Sequence, residues 1–451
     1  QRVMKIYIYK SVFRSTHKSM TIDKITSDLL RPIRLNWSFK IWFGFLGLAL
    51  LVCLGAYGLQ LKNGLSVTGL GDYVSWGMYL ANFVFFVATS LIGMLISAVL
   101  GLSGQKWAAP LARIAEIIAL AFAAVAGLVI VMDMGRPERL LNVFIHGRVQ
   151  SPILWDVTVI TIYMVISALF LYIPLIPDLK ICSEKLDVPP FVQKIYKILS
   201  LNWEGTIEQK KMIQQSTRVI AIFIIPVALA IHTVTSWLFA STSRVGWDSS
   251  IFGPYFVTGA FVSGTAAVII AMYIFRKNYK LEEYITDKHF DMIGKLMVLV
   301  SLVYLYFNLN EYMVPGYKMK EAEAMHLRDL FTGNHAMLFW GVQILGLAIP
   351  VVLLLFKKMR KPLPMLVIGI MILLGAWFKR YIIVVPTMEH PFLPIQNVPQ
   401  NWKIYTPTLI EILVTLAPIV MVLMIITILA KVIPIVSVSE TLEHNEEKEI
   451  L

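Results

Sequence analysis

Long apolar runs alternate with short polar connections along the chain. Ten runs lie near residues 40–60, 75–102, 108–132, 153–174, 218–240, 251–275, 292–313, 335–356, 363–386 and 407–434. Most reach the ~20 residues that a bilayer demands of a spanning helix. No segment shows the period-two alternation of a strand. A backbone in lipid must satisfy its own polar groups, so each run predicts a helix. The expected fold is an all-α integral membrane protein with about ten transmembrane helices in bundles (40–434). Tails at 1–39 and 435–451 flank it.

The polar connections predict the orientation. The N-terminal tail, the connections after spans two, four, six and eight, and the C-terminal tail hold about 28 Lys and Arg, against about nine on the other side. Both termini are therefore expected in the cytoplasm. The longest connection, 175–217, carries Lys180, Lys185, Lys194, Lys197, Lys210 and Lys211, and predicts a short surface helix. The polar ending "ETLEHNEEKEI" is expected to be loose.

Composition narrows the chemistry. The chain is 57% hydrophobic and 15% charged, with a mean hydropathy of +0.71, which excludes a soluble domain. Its net charge of +12 sits in the connections, where topology puts it, and points to no nucleic acid. Cys53 and Cys182 form no motif. They exclude a disulfide framework, a CxxCH haem attachment and an iron–sulfur cluster held by this chain alone. Of eight His, only His232 is clearly mid-span, and His335 opens a helix, so paired haem ligands are not expected. No metal site is expected either.

Ionisable groups in or beside spans are costly and mark candidate sites. Glu116 falls within the third span, Asp133 at its end and His146 in the connection beyond. Asp156 opens the fourth span, His232 lies in the fifth and Asp248 follows it. Lys295, Asn308, Asn310 and Glu311 mark the seventh span, Lys379 and Arg380 the ninth, and Glu411 the tenth. The stretch "VMDMGRPERLLNVFIHGRVQSPILWDV" (131–157) concentrates Asp133, Arg136, His146 and Asp156 at one membrane face. Asp248 and Arg380 fall at the same depth. Carboxylate, imidazole and guanidinium groups from separate segments suit a quinol headgroup, which needs hydrogen bonds and a proton acceptor. For any single residue, a capped helix end or a solvated loop is an equally good reading. His232 divides likewise between a satisfied core residue and a functional one, and Glu116 between a paired neutral acid and a proton relay.

Several stretches carry a resemblance: "WGMYLANFVFF" (76–86), "RIAEIIAL" (113–120), "MGRPERLL" (134–141), "SPILWDV" (151–157), "IHTVTSWLFASTSRVGWDSSIFGPYFV" (231–257) and "FKRYIIVVPTMEHPFLP" (378–394). In this order they resemble the NrfD/polysulfide reductase C family of membrane subunits, and most of all the ActC subunit of alternative complex III. The resemblance implies a quinone-binding subunit of a bacterial cytoplasmic membrane, without haem or iron–sulfur cluster of its own. It further implies oxidation of menaquinol or a similar quinol near the outward face, and electron transfer to a docked ferredoxin-like iron–sulfur protein. Other membrane subunits, including a second NrfD-like chain, lipids, and a multihaem cytochrome c or terminal oxidase are the implied partners. Proton translocation is proposed for such complexes. On that reading Asp133, His146, Asp156 and Asp248 bind the quinol or take its protons, and Arg136 and Arg380 support the carboxylates. Glu116, His232 and Glu311 extend a proton route inward. Two departures stand out. Relatives often carry a His before "GTLIS" in the second span, where this chain reads "TSLIGMLIS", and "PGWHS" where it reads "VGWDS".

Three other readings stay open. One is a related subunit of a sulfur-metabolism or cytochrome-linked redox complex. Another is a proton-coupled transporter working through Glu116, Lys295 and Glu311, although no paired broken-helix repeat is found. The last is a passive anchor for redox subunits.

Overall fold

A computed structural model of the chain describes residues 22–390, 399 and 402–450. Ten helices among them are long and apolar enough to cross a membrane. In chain order the helices are α1 (Trp37–Asn63), α2 (Met78–Leu102), α3 (Ala109–Asp133), α4 (Pro152–Lys185), α5 (Pro190–Leu199) and α6 (Ile207–Ala240). After them come α7 (Phe252–Tyr279), α8 (Asp287–Lys318), α9 (Glu321–Thr332), α10 (Ala336–Leu355), α11 (Pro362–Glu389), α12 (Leu409–Val432) and α13 (Val438–Ile450). The described residues include no strand. All but α5, α9 and α13 are spanning helices.

Local chemistry explains where helices start. Asn36 accepts the Phe39 N–H (2.9 Å) to cap α1, and Thr206 with Gln209 forms a capping box on α6. Proline occupies the first turn of α3, α4, α5 and α11, where its missing N–H leaves no bond unmade.

Helix α2 is buried almost all round from Tyr79 to Ala98, as expected of a helix apolar on every face. It packs on α3, α6, α7 and α11 and is the centre of the molecule. Around it, α2, α3, α4 and α6 form one group and α7, α8, α10 and α11 another, while α1 and α12 pair on the flank of α3. Lipid tails offer no hydrophobic drive between helices, so close approach is achieved by small residues. A Cβ on Gly93 would lie 1.9 Å from the Ala115 carbonyl oxygen, so only glycine permits the α2–α3 crossing. Gly346 and Gly375 meet in the same way between α10 and α11.

The structure departs from the expectations at three places. Helices α4, α6 and α8 run well past their apolar windows, because a helix leaving the bilayer needs no apolar side chains to continue. Helix α9 was not expected; it is acidic, yet it buries His326, Leu327 and Leu330. The C-terminal ending is helical, not loose. Buried Val436 and Val438 anchor it, Ser439 N–H donates to Asp178 Oδ1 (2.8 Å), and Lys210 pairs with Glu443 (2.8 Å). The surface helix expected in 175–217 is α5. Of the N-terminal tail, residues 1–21 lie outside the described residues.

With an even number of spans, α1 starts and α12 ends at one end of the bundle, called here the termini end. The connections 64–77, 134–151, 241–251 and 319–335 gather at the far end.

Candidate functional site at the far end

Proline at the start of α4 places Asp156 one turn inside the helix, facing the bundle. Its carboxyl is 3% exposed. The Thr235 hydroxyl of α6 lies 2.6 Å from Asp156 Oδ1 and 2.8 Å from the Ile231 carbonyl oxygen, both of which can accept its proton. One turn along α6, His232 is buried beside the backbone of Val87 and Ala88 in α2, and neither ring nitrogen meets a hydrogen-bond partner among the described residues.

The "VGWDS" connection closes over this region. Gly246 adopts a left-handed φ of +85°, where a Cβ would be strained and would lie 3.0 Å from His326 Nε2. This turn drives Trp247 inward until it is fully buried. The indole N–H donates to the Ile383 carbonyl (2.7 Å), and the ring stacks on Trp76 (5.6 Å) and against Phe239 (5.0 Å). Asp248, the next residue, is exposed.

The other expected residues share this end but not one pocket. Asp133 is half-buried at the end of α3, near Glu411. Arg136 and His146 are exposed on the 134–151 connection. Arg380 is buried on α11, where its guanidinium would sit 3.0 Å from a Cβ on Gly259. No hydrogen bond or ion pair among the described residues joins any two of Asp133, Arg136, His146, Asp156, Asp248 and Arg380. Glu311 is 9% exposed on α8, below the 241–251 connection, in the wall of a cavity of about 30 Å³ shared with Tyr312, Glu323 and His326.

Three polar groupings at this end were not assembled by sequence reasoning, which marked Glu411, Lys379 and Asn308 only singly. Beside Asp133, Glu411 is fully buried, accepts the Gly69 N–H (2.9 Å) and bonds the Tyr405 hydroxyl; Tyr79 donates to Gln60 Oε1 (2.6 Å), whose amide donates to the Met132 carbonyl (2.7 Å). In the second grouping, the Lys379 ammonium bonds the Tyr312 hydroxyl and lies over that ring (4.6 Å), while Asn308 donates to Gln343 Oε1 (2.7 Å). A wider π-turn at Val342–Ala348 interrupts α10 where Gln343 stands. Tyr and Gln signal little in a sequence, and tyrosines at span ends read as interfacial anchors.

The third grouping lies at the rim, where α9, the start of α10 and the end of α11 meet. His335 Nδ1 is 2.8 Å from Asp329 Oδ2, and His335 Nε2 is 3.6 Å from Glu389 Oε2. His390 Nε2 approaches Asp329 Oδ2 from another side at 3.4 Å. Burial alone would raise the Asp329 carboxyl, but contact with the His335 and His390 rings and their charge hold it well below the usual carboxylate range. For His335 burial disfavours the charged ring, yet its bond to Asp329 and the nearby Glu389 carboxylate raise its pKa. His326, buried and facing the other imidazoles, is pushed down to about 4.

At the termini end, Arg113 and Asp178 form a buried ion pair (3.2 Å). Glu116 lies 3.9 Å from Arg113 and accepts the Ser97 hydroxyl (2.5 Å). Ser97, Arg113 and Glu116 border a cleft of about 980 Å³ that also reaches Lys180, Lys210 and Arg218. Glu116 is thus within a polar opening, while His232 and Asp156 lie progressively farther from it toward the far end.

The chain resembles known proteins over most of its length. The family model described as "Polysulphide reductase, NrfD" matches residues 66–390. A Halobacterium salinarum protein, by name a putative membrane subunit of a dimethyl sulfoxide reductase, is 27% identical over 71% of this chain and 70% of its own length. The C subunit of the selenate reductase of Mesobacillus selenatarsenatis is 24% identical over 91% and 96%. The Hdr-like menaquinol oxidoreductase integral membrane subunit of Archaeoglobus fulgidus is 23% identical over 88% and 95%.

Proposed function

Since the chain belongs to the NrfD polysulphide reductase family, we propose that it is the quinone-binding membrane subunit of a multi-subunit respiratory complex and oxidises menaquinol or a similar quinol at its far end. The far end faces outward, and both termini are cytoplasmic, in keeping with the distribution of Lys and Arg. Oxidation breaks two quinol O–H bonds. Two protons leave to this chain and its bordering water, and two electrons leave to a docked ferredoxin-like iron–sulfur protein. One such assembly is a complex of the alternative complex III type. The names of two relatives favour a reductase assembly, and the third relative's name supports menaquinol as the quinol.

The observation that carries this reading is the Asp156–Thr235–Ile231 chain of contacts. Thr235 has one hydroxyl proton and two acceptors in reach, so an Asp156 carboxylate that takes up a proton can donate it to the Thr235 hydroxyl oxygen while that hydroxyl turns to the Ile231 carbonyl. A buried carboxyl with a ready place for one more proton is what a quinol's first deprotonation requires. Asp133 takes the second proton, close to the rim. His146 and Asp248, exposed on the connections, carry protons to water, while Arg136, always charged, supports the carboxylates and completes the docking rim. Arg380 fixes the local field from α11. His232 and Glu116 continue the route from Asp156 toward the termini-end cleft, and Glu311 provides a branch on α8, which couples oxidation to proton movement.

The test uses the intact complex in its native membrane with a water-soluble menaquinol analogue. Asp156→Asn keeps the shape and the hydrogen-bonding oxygen but removes the proton acceptor. Turnover is expected to fall about 100-fold, and His146→Ala to lower it several-fold. Turnover equal to wild type in Asp156→Asn overturns the assignment.

A further inference from the structure

We propose that the rim grouping of Asp329, His335, Glu389 and His390 is a binding site for a divalent metal ion of the zinc class. One ligand atom each from Asp329, His335 and Glu389 lie within 4.8 Å of one another, and His390 flanks Asp329. Imidazole nitrogen with carboxylate oxygen is a donor set that suits zinc and its neighbours.

Two of the three contacts have the spacing of a metal site rather than of direct ion pairs. His390 Nε2 stands 3.4 Å from Asp329 Oδ2, yet this buried nitrogen makes no hydrogen bond among the described residues. His335 Nε2 and Glu389 Oε2 are 3.6 Å apart, too long for a direct bond. Ligand atoms around one tetrahedral ion with bonds of about 2.0–2.1 Å stand about 3.3 Å apart and do not point at each other. The 3.4 and 3.6 Å pairs fall near that edge length, while the 2.8 Å contact of His335 Nδ1 with Asp329 Oδ2 is a hydrogen bond that orients the ring and leaves Nε2 as its metal-binding atom. All four side chains are largely shielded, with exposures of 14%, 12%, 9% and 26% for Asp329, His335, Glu389 and His390.

A second observation comes from the surroundings. His326 is 7% exposed, its Nδ1 is unpartnered among the described residues, and its ring meets that of His390 edge-on at 5.8 Å. Glu389 is already oriented, because its Oε1 accepts the Tyr405 N–H (2.8 Å). A bound ion would tie α9, the start of α10, the end of α11 and the approach to α12 into one rim. Such a staple gives the acidic helix α9 a reason to fold where no apolar run predicts it.

The experiment uses the full chain in lipid nanodiscs, purified through a tag without histidine, stripped with a chelator and re-equilibrated with zinc chloride. Bound metal is counted by mass spectrometry and affinity is read by calorimetry. Wild type is expected to retain one zinc per chain and to melt at a higher temperature with zinc than without. Asp329→Asn and His335→Gln are each expected to weaken binding at least ~10-fold, and their combination to abolish both the bound zinc and the thermal shift. His146→Gln, exposed on a separate connection, keeps the full equivalent. The same melting temperature for wild type and the double variant without zinc establishes that both are folded. Wild type without stoichiometric zinc, or a double variant that binds as wild type does, overturns the proposal.

Discussion

Gly246 shows how one backbone angle sorts two neighbouring side chains. Its left-handed φ folds Trp247 into the core and leaves Asp248 on the surface. Gly246→Val places a branched side chain where L-residues are disfavoured by ~1–2 kcal/mol, and against His326 and Thr387 as well. The Trp247 ring should lose its stack on Trp76, seen as a red-shifted and more quenchable tryptophan emission, with a lower melting temperature. Buried ion pairs give a second residue-scale test. Removing Asp178 takes away the shorter of two carboxylate partners of the Arg113 guanidinium, which is 3% exposed and keeps only Glu116 at 3.9 Å, and breaking such a buried pair costs up to about 3–5 kcal/mol. Asp178→Leu should therefore lower the yield of folded protein sharply. Arg113→Leu combined with Asp178→Leu should recover part of it, because the permanently charged guanidinium is gone and Glu116 keeps the Ser97 hydrogen bond.

Among the elements, the α2–α3 crossing is the most constrained. Gly93→Leu forces the Ala115 carbonyl away and should depress thermal stability strongly, whereas Gly101→Leu, with open space around it, should leave melting unchanged. Element existence was legible in the sequence, because a spanning helix announces itself by an apolar run as long as the bilayer is thick. Asp156, His232 and Glu116 were legible for the same reason, as polar groups standing out against that background. What could not be read was set by packing. The ends of α4, α6 and α8 extend into water, where apolarity no longer marks them. Helix α9 and the α13 ending are held by a few buried residues amid charge. The rim grouping draws Asp329, His335 and Glu389 from three elements, and such a convergence leaves no spacing in the chain. The motif connections show the limit of depth as a guide: Arg136 and His146 on one and Asp248 on another are close in depth, yet their side chains are exposed rather than in a shared pocket with Asp156.

For the whole molecule the polarity of the two ends decides how function is arranged. One end holds the Arg113–Asp178 pair and the large cleft; the other holds Asp156, the Trp76–Trp247 stack and the rim grouping. In the proposed function a quinol from the lipid and a docked electron acceptor both use the second end, and a proton route uses both. The proposed orientation, which rests on the distribution of Lys and Arg, has the Asp156 end outside. Native Cys53 and Cys182 are both buried, so they are silent toward a membrane-impermeant maleimide. Arg148 is exposed on the 134–151 connection at the far end, and Lys211 is exposed near the start of α6 at the termini end. In intact spheroplasts, Arg148→Cys should label fully and Lys211→Cys only after permeabilisation. Labelling in the reverse pattern would put Asp156 on the cytoplasmic side. The quinol's protons would then be released inward, and a partner docked at that rim would be a cytoplasmic one.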